Sequence, residues 1–265
     1  MDIAEINDKA QDFQQSLDVK KLTLGPQDFS WYPYGTLNSF YLFDSLLTGN
    51  NRLLLDLIGE KPTVDIGCAD GDLAFFLETL GCQVQVVDYS PTNYNGLQGL
   101  KLLKKALSSR IEIREIDLDA QFALSQETYS LAFFLGILYH LKNPYYALET
   151  IAKAAKYCLI STRIAKFNMR PATLDMPYAN ALSHKRTDIS QLPVAYLLDE
   201  AEANNDSTNY WIFSEAGLRR ILKRTGWEIC DYMTVGNTVN SDPASVAGDE
   251  RAFCLVRSRF HASVL

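Results

Sequence analysis

The residues best suited to chemistry in this chain stand where apolar runs end. In VDIGCADGDLAFFLE, residues 64–78, such a run ends in Asp65 and Gly67, a loop of small residues follows (Cys68, Ala69, Gly71), and Leu73, Phe76 and Leu77 open a helical pattern. Small residues at a strand-to-helix junction let the backbone approach a ligand at the helix N-terminus. A dinucleotide calls for G-x-G-x-x-G. Here those positions hold Gly67, Ala69 and Asp72. An acid inside the loop repels a pyrophosphate but does no harm to a nucleoside carrying an amino group and a sulfonium. A NAD-dependent oxidoreductase is therefore disfavoured, and a cationic nucleoside fits better. The next run, QVQVVDYS, ends in Asp88 and Tyr89, and 88 − 67 = 21 residues is the separation at which a carboxylate accepts ribose hydroxyls. REIDLDA brings Asp117 and Leu118 to a third strand end, within reach of a purine amine, with Asp119 as an alternative acid. LAFFLGILYHLKNP brings Gly136, Tyr139 and His140 to a fourth.

His140 is the candidate general base, since an imidazole with an ordinary pKa near ~6.5 can take a proton from a hydroxyl acceptor. Its alternative is structural: capping the helix that starts near Pro144, or satisfying a buried carbonyl. Tyr139 is either a catalytic neighbour or core filling. Trp31, Tyr32 and Tyr34, and from a second segment Tyr210 and Trp211, carry flat rings that can stack on an acceptor or pack in the core. Cys68 reads as a packing residue, with nothing nearby to lower its pKa.

The elements that must hold these residues follow from periodicity. β-Branched runs of strand length (TVDIG, QVQVVD, IEIREIDL, SLAFFLGI, YCLIST) alternate with amphipathic segments from residue 62 onward, the signature of a parallel α/β sheet. The segment from Tyr94 to Leu107 carries Leu100, Leu103 and Leu107 on one stripe with Lys101, Lys104 and Lys105 largely opposite. A second helix begins at Asn143 and Pro144, with Leu148, Ile151, Ala152 and Ala155 inward. A third runs from Ser214 to Gly226, and WEICDYMTV and RAFCLVRS close the chain as strands. Residues 1–61 precede this alternation as a helical extension or lid. Residues 166–213, with Pro171, Pro177, Pro193 and an acidic DEAEANND loop, interrupt it on the side where open α/β sheets bind substrates.

Composition narrows the class. At 265 residues, 47% hydrophobic and 22% charged, the chain can fill a sizeable core and is neither disordered nor fibrous. With 25 basic and 32 acidic residues its charge is −7, so a nucleic acid would need a local basic groove. Lys101, Lys104, Lys105 and Arg110 form one cluster and Arg219, Arg220, Lys223 and Arg224 another, both on expected outer helix faces. The start MDIAEINDKA lacks a secretory pattern, and the longest apolar run is far too short to span a membrane, so a cytoplasmic protein is expected. Five scattered cysteines and three histidines (His140, His184, His261) without ligand spacing point to neither a disulfide framework nor a metal site.

The ordered set of loop, acid, acid and Gly-aromatic-His resembles the class I S-adenosylmethionine-dependent methyltransferases over roughly residues 60–260. The resemblance implies a Rossmann-like, seven-stranded α/β sheet, here with N-terminal helices and an insertion after the fifth strand. A methyltransferase domain would span 62–265, with 166–213 as its substrate-side insertion. Within that superfamily LGILYHLKNP and NYWIFSEAGLRRILKRTGWEI are similar to segments of the tRNA wobble-uridine (mo5U34) methyltransferase and carboxymethyltransferase group. Tyr139 and Arg251 fall on the residues that hold the extra carboxylate of carboxy-S-adenosylmethionine in the carboxymethyltransferases. Two departures bear on this. The stretch FSWYPYGTLNSF (29–40) has no lysine where the group carries a carboxylate-gripping one, and Leu141 and Lys142 replace two basic residues. Plain S-adenosylmethionine is therefore the preferred donor, held by Asp65, Gly67, Cys68, Ala69, Gly71, Asp88, Tyr89, Asp117, Leu118 and Gly136. His140 and Tyr139 are the expected catalytic pair, and Trp31, Tyr34, Tyr210, Trp211 and Arg251 the expected acceptor contacts. The leading reading is methyl transfer to a small aromatic or hydroxylated molecule. A tRNA enzyme and a silent cofactor-binding module stand as alternatives.

Overall fold

The computed structural model describes residues 1–120, 123–124, 129–167, 187–200, 202–203, 205–239, 241 and 248–261. The strands at Thr63–Ile66 (β1), Val84–Asp88 (β2), Glu112–Glu115 (β3), Tyr129–Leu135 (β4) and Ala155–Ile164 (β5) are mutually parallel in the order β3-β2-β1-β4-β5. β1 is buried at every position, as a parallel strand covered on both faces must be. The closing strands Trp227–Gly236 (β8) and Glu250–Ser258 (β9) form an antiparallel pair, with β9 alongside β5. The core path is thus β3-β2-β1-β4-β5-β9-β8, the seven strands expected. Two short strands, Ala195–Leu197 (β6) and Trp211–Phe213 (β7), are additional. Their three-residue lengths gave no readable alternation.

The sheet's faces are covered by different helices. Ile3–Thr23 (α1) turns Ile3, Ile6, Ala10 and Leu17 into one core, together with Asp72–Thr79 (α4) and Gln98–Ala106 (α5). Short helices Tyr41–Leu46 (α2) and Leu54–Ile58 (α3) add to this layer. Pro144–Ala154 (α6) and Glu215–Arg224 (α7) cover the opposite face. Their starts follow the sequence: the Asn143 side chain accepts from Tyr146 N with Pro144 at the first helical position, and Ser214 accepts from Gly217 N. Gly226 follows α7 at φ +98, the left-handed position that a β-carbon disfavours.

Two expected boundaries move. The helix expected from Tyr94 begins at Gln98, because Asn93 Oδ1 accepts from Asn95 N and Leu97 N and holds a turn there. Ala155, expected on α6, is the first residue of β5. Pro171, Pro177 and His184 lie outside the described residues.

One topological detail positions the site. β4 pairs with β5 only as far as Ser161, and β9 occupies the other edge of β5 through Ile164. The end of β5 therefore overhangs β4, and β7 docks on that vacated edge through Ile164 and Phe213. The insertion is thereby tied directly above the carboxyl end of β4. Among the described residues no helix is long and apolar enough to cross a membrane.

Candidate active site

β1 and β2 deliver two acids to the crevice at their carboxyl ends. Asp65 is buried, and burial first, then the charges of Asp88 and Asp72, push its carboxyl up to about 8. Asp88 Oδ1 accepts from Tyr89 N at 2.7 Å, while Oδ2 accepts from Ala69 N at 3.2 Å and Asn93 Nδ2 at 3.0 Å. Burial raises its pKa against these bonds. A carboxylate has about four acceptor sites, so Oδ1 keeps capacity for a ligand hydroxyl. With its carboxyl at about 8, Asp65 is mostly protonated at neutral pH. Cys68 Sγ lies 3.8 Å from Asp88 Oδ2, and burial pushes the thiol well above its usual range, so it stays protonated and inert.

The other acids of the loop do a different job. Asp72, read from sequence as a charge facing the ligand, turns instead to α1: Lys21 Nζ donates to its carboxylate at 3.1 and 3.2 Å, and Gln14 Nε2 at 3.4 Å. Its argument against a pyrophosphate fails on this geometry. Asp70 accepts from Tyr32 N and Asn95 Nδ2, both at 2.8 Å, with Lys21 3.7 Å away. The glycines also differ from expectation. The open sides of Gly67 and Gly71 face protein, Gly67 meeting Ile137 and Gly71 meeting Leu100 and Phe75. Their value is close packing of the loop, with φ of +74 and +84, more than a ligand-facing gap. Ala69 takes φ +52 between them.

At the third strand, Asp117 lies beyond the end of β3 and its Oδ1 accepts from Asp119 N at 2.9 Å, while Leu118 is buried. The Asp119 carboxylate accepts from Lys142 N and Asn143 N and fastens the start of α6.

The fourth strand end faces the insertion. Gly136, at φ +76, opens the turn that carries Tyr139 and His140, whose rings lie 4.2 Å apart. Tyr139 is 7% exposed, and its hydroxyl accepts from Arg251 Nη1 at 3.4 Å. These residues lie 112 positions apart, and β9 brings them together. Arg251 Nε also reaches Asp249 at 3.3 Å, and Asp249 in turn binds the buried Arg163 at 2.8 Å. Burial, then Tyr139 and Tyr34, raise the pKa of Tyr32, whose surroundings also include Arg251. The N-terminal aromatic segment therefore borders this cluster. Tyr34 is 70% exposed and packs edge-on to Tyr32, whereas Trp31 packs on the core beneath Lys21. From the insertion, Tyr210 N donates to the Tyr139 carbonyl at 2.8 Å, and Lys142 lies over the Tyr210 ring. Trp211 packs on the α6–α7 core and its buried Nε1 has no hydrogen-bond partner among the described residues.

His140 does not cap α6, since Asn143 does. Its Nδ1 contacts the carbonyl and hydroxyl oxygens of Thr208, each at 3.0 Å, so the structural alternative of satisfying a carbonyl is realised on that nitrogen. Burial holds the imidazole below its usual pKa, keeping it neutral at neutral pH.

Several contributors were not read from sequence: Lys21 and Gln14 on α1, Asp70, Asn93 and Asn95 around the loop, and Asp206 and Thr208 in the insertion. The pair Asp70 and Asp72 was the available signal, because two buried acids in one loop need a nearby cation. The acidic DEAEANND run is also more than a solvated loop. Glu202 accepts from the Tyr196 hydroxyl and Asp199 N, and Ala203 is buried.

Comparison with known proteins agrees with this architecture. No curated protein matches the chain by sequence. The N-terminal domain of EvdMO1 with SAH bound superposes with a TM-score of 0.54 at 15% identity, covering 97% of each chain. The same domain in the presence of SAH and D-fucose gives 0.53 at 15% identity, over 78% of this chain and 81% of that one. TehB from Haemophilus influenzae gives 0.50 at 18% identity, over 80% and 62%. These likenesses establish the fold. The family described as "Methyltransferase domain" matches residues 41–232, most of the chain, and this protein belongs to that methyltransferase family.

Proposed function

We propose that the chain transfers a methyl group from S-adenosylmethionine to a small hydroxylated acceptor. The observation that carries this reading is Asp88 at the end of β2, whose Oδ1 accepts from Tyr89 N and keeps capacity for a ribose hydroxyl while its Oδ2 is bonded to the 67–71 loop through Ala69 N. A carboxyl at this position that can accept ribose hydroxyls suits a nucleoside donor. The donor set fits: Asp88 keeps acceptor capacity for a ribose, and its carboxylate is pinned by Tyr89 N, Ala69 N and Asn93. SAH in the EvdMO1 domain supports the donor class.

When bound, the donor supplies a methyl carbon already activated by its sulfonium, whose C–S electron pair returns to sulfur as the acceptor oxygen bonds the methyl. The chain's work is positioning and proton removal. Asp88 and the loop fix the nucleoside, and Tyr139, Tyr32, Tyr34 and Tyr210 wall the acceptor side. His140 takes the hydroxyl proton. An approach of ~3 to 3.5 Å aligned with the leaving sulfur supplies most of the advantage.

A second reading is favoured by one observation, the contact between Tyr139 and Arg251. It is the pair that would hold a carboxylated donor, as in the tRNA wobble-uridine carboxymethyltransferases. The net charge of −7 and the placement of both basic clusters on outer helices favour a small acceptor over tRNA. Incubation with S-adenosylmethionine or its carboxylated form, and with either tRNA or a panel of phenols and hydroxylated metabolites, followed by mass spectrometry, separates the two. A product heavier by one methyl supports the first reading. A carboxymethyl product, or modification of tRNA alone, overturns it.

A further inference from the structure

The residues that hold His140 lie on the insertion, 66 and 68 positions away, and their bonding fixes which nitrogen carries its proton. Thr208 Oγ1 donates to Asp206 Oδ1 at 2.6 Å, so its one hydrogen is committed. Toward His140 Nδ1, at 3.0 Å, the hydroxyl can then only accept. The Thr208 carbonyl, also at 3.0 Å, can only accept as well. Both partners therefore require a proton on Nδ1, and the neutral ring keeps its lone pair on Nε2. The turn itself is built. Asp206 Oδ1 accepts from Thr208 N at 2.9 Å, Asp206 N donates to the Ala203 carbonyl at 3.2 Å, and Asn209 Nδ2 donates to that carbonyl at 3.0 Å. Tyr210 N, bonded to the Tyr139 carbonyl at 2.8 Å, ties the turn to the His140 segment a second time.

We infer that Asp206 and Thr208 are positioning residues that set His140 as an Nε2 base, so that the acceptor is a hydroxyl compound whose proton passes to Nε2. This rests on the methyl-transfer reading above. The proton lost by the acceptor makes His140 an imidazolium; the Nδ1–H···Thr208···Asp206 chain relays the carboxylate's field to that charge without moving a proton, until Nε2 returns its proton to solvent. An acceptor with no proton to lose would need no such device. The charged groups acting on the ring are Asp206, which favours the imidazolium, and Arg251 and Arg163, which oppose it, while Tyr139 stacks beside it. Asp206 is the carboxylate that acts most strongly on the ring, and its own pKa is held below the usual range by Thr208 and His140, against burial.

Long-range 1H–15N NMR of the ligand-free chain tests the tautomer directly, with His140→Gln assigning one signal among three histidines. The expected state at pH 7 is protonated Nδ1 and bare Nε2. A protonated Nε2 overturns the inference. The kinetic test compares Asp206→Asn, Thr208→Val and Thr208→Ser, each first shown to keep the native melting profile. Asp206→Asn is expected to lower kcat about tenfold, within the range of general-base effects. It should also move the acid limb of the kcat profile to lower pH while KM for the donor stays put. Thr208→Val should act in the same direction and Thr208→Ser should restore the native values. Unchanged kcat and acid limb in both Asp206→Asn and Thr208→Val overturn the relay even if the chain methylates its acceptor. A native chain that transfers no methyl group overturns the methyl-transfer reading and, with it, the relay's catalytic role; the NMR result then decides only the orientation of the ring.

Discussion

The two halves of the crevice are assembled in opposite ways. On the proposed donor side, Asp65, the 67–71 loop and Asp88 come from two neighbouring parallel strands within 24 residues, and the contacts of Asp88 are mostly from backbone amides. On the proposed acceptor side, Tyr139 and His140 from the turn after β4 meet Arg251 from β9 and Thr208 and Tyr210 from the insertion, across separations of 112, 68 and 71 residues. The first half is rigid core geometry. The second exists only because β5 overhangs β4 and leaves an edge for β7. A family sharing the donor half can thus change acceptors by rebuilding the insertion, without touching the strands that hold the donor.

The sharpest way to separate the halves is at His140. Replacing it by Gln should reduce kcat by about 10² to 10⁴-fold, the usual worth of a general base, and leave donor affinity unchanged. Calorimetry beside steady-state rates reads both; parallel losses would mean that the halves are not independent.

Next is Lys21, which ties α1 to the loop. Lys21→Met leaves the buried Asp72 with only Gln14, and breaking a buried pair from one side costs about 3 kcal/mol. Urea unfolding should show that loss. An unchanged midpoint would remove α1 from the support of the donor half.

The pH dependence of stability concerns Asp65. Its pKa is raised on folding from 3.8 to about 8, so the folded chain binds the extra proton and its stabilisation is complete below 3.8 and lost as pH rises toward about 8. Asp65→Asn should remove that slope, so the variant gains on the native chain between pH 5 and pH 9. Identical pH profiles of the urea midpoint would contradict a buried, uncompensated acid.

This asymmetry also explains what could be read from the sequence. The strands, α6, α7 and the donor acids announce themselves locally: periodicity sets the elements, Asn143 and Ser214 mark helix starts, and Asp88 lies at a fixed offset from Gly67. Pairings across the chain leave no such mark. Lys21 with Asp72, and His140 with Thr208, depend on how α1 and the insertion pack, and neither spacing nor composition encodes that. The resemblance to a known group drew Tyr139 and Arg251 together where periodicity alone gave no reason to pair them. Asp72 was misassigned for the same cause, since an acid in a ligand loop looks alike whether it faces the ligand or a lysine on a distant helix.

The donor half is the foundation of everything else, and titrating S-adenosylhomocysteine into the native chain and into Asp88→Asn by calorimetry tests it most directly. The native chain should bind. The variant should lose about 1.5 to 3 kcal/mol, the worth of a hydrogen bond to a charged group, or roughly ten- to a hundredfold in Kd. Equal affinity in both, or no heat from the native chain, would contradict a nucleoside held by the carboxylate at the end of β2.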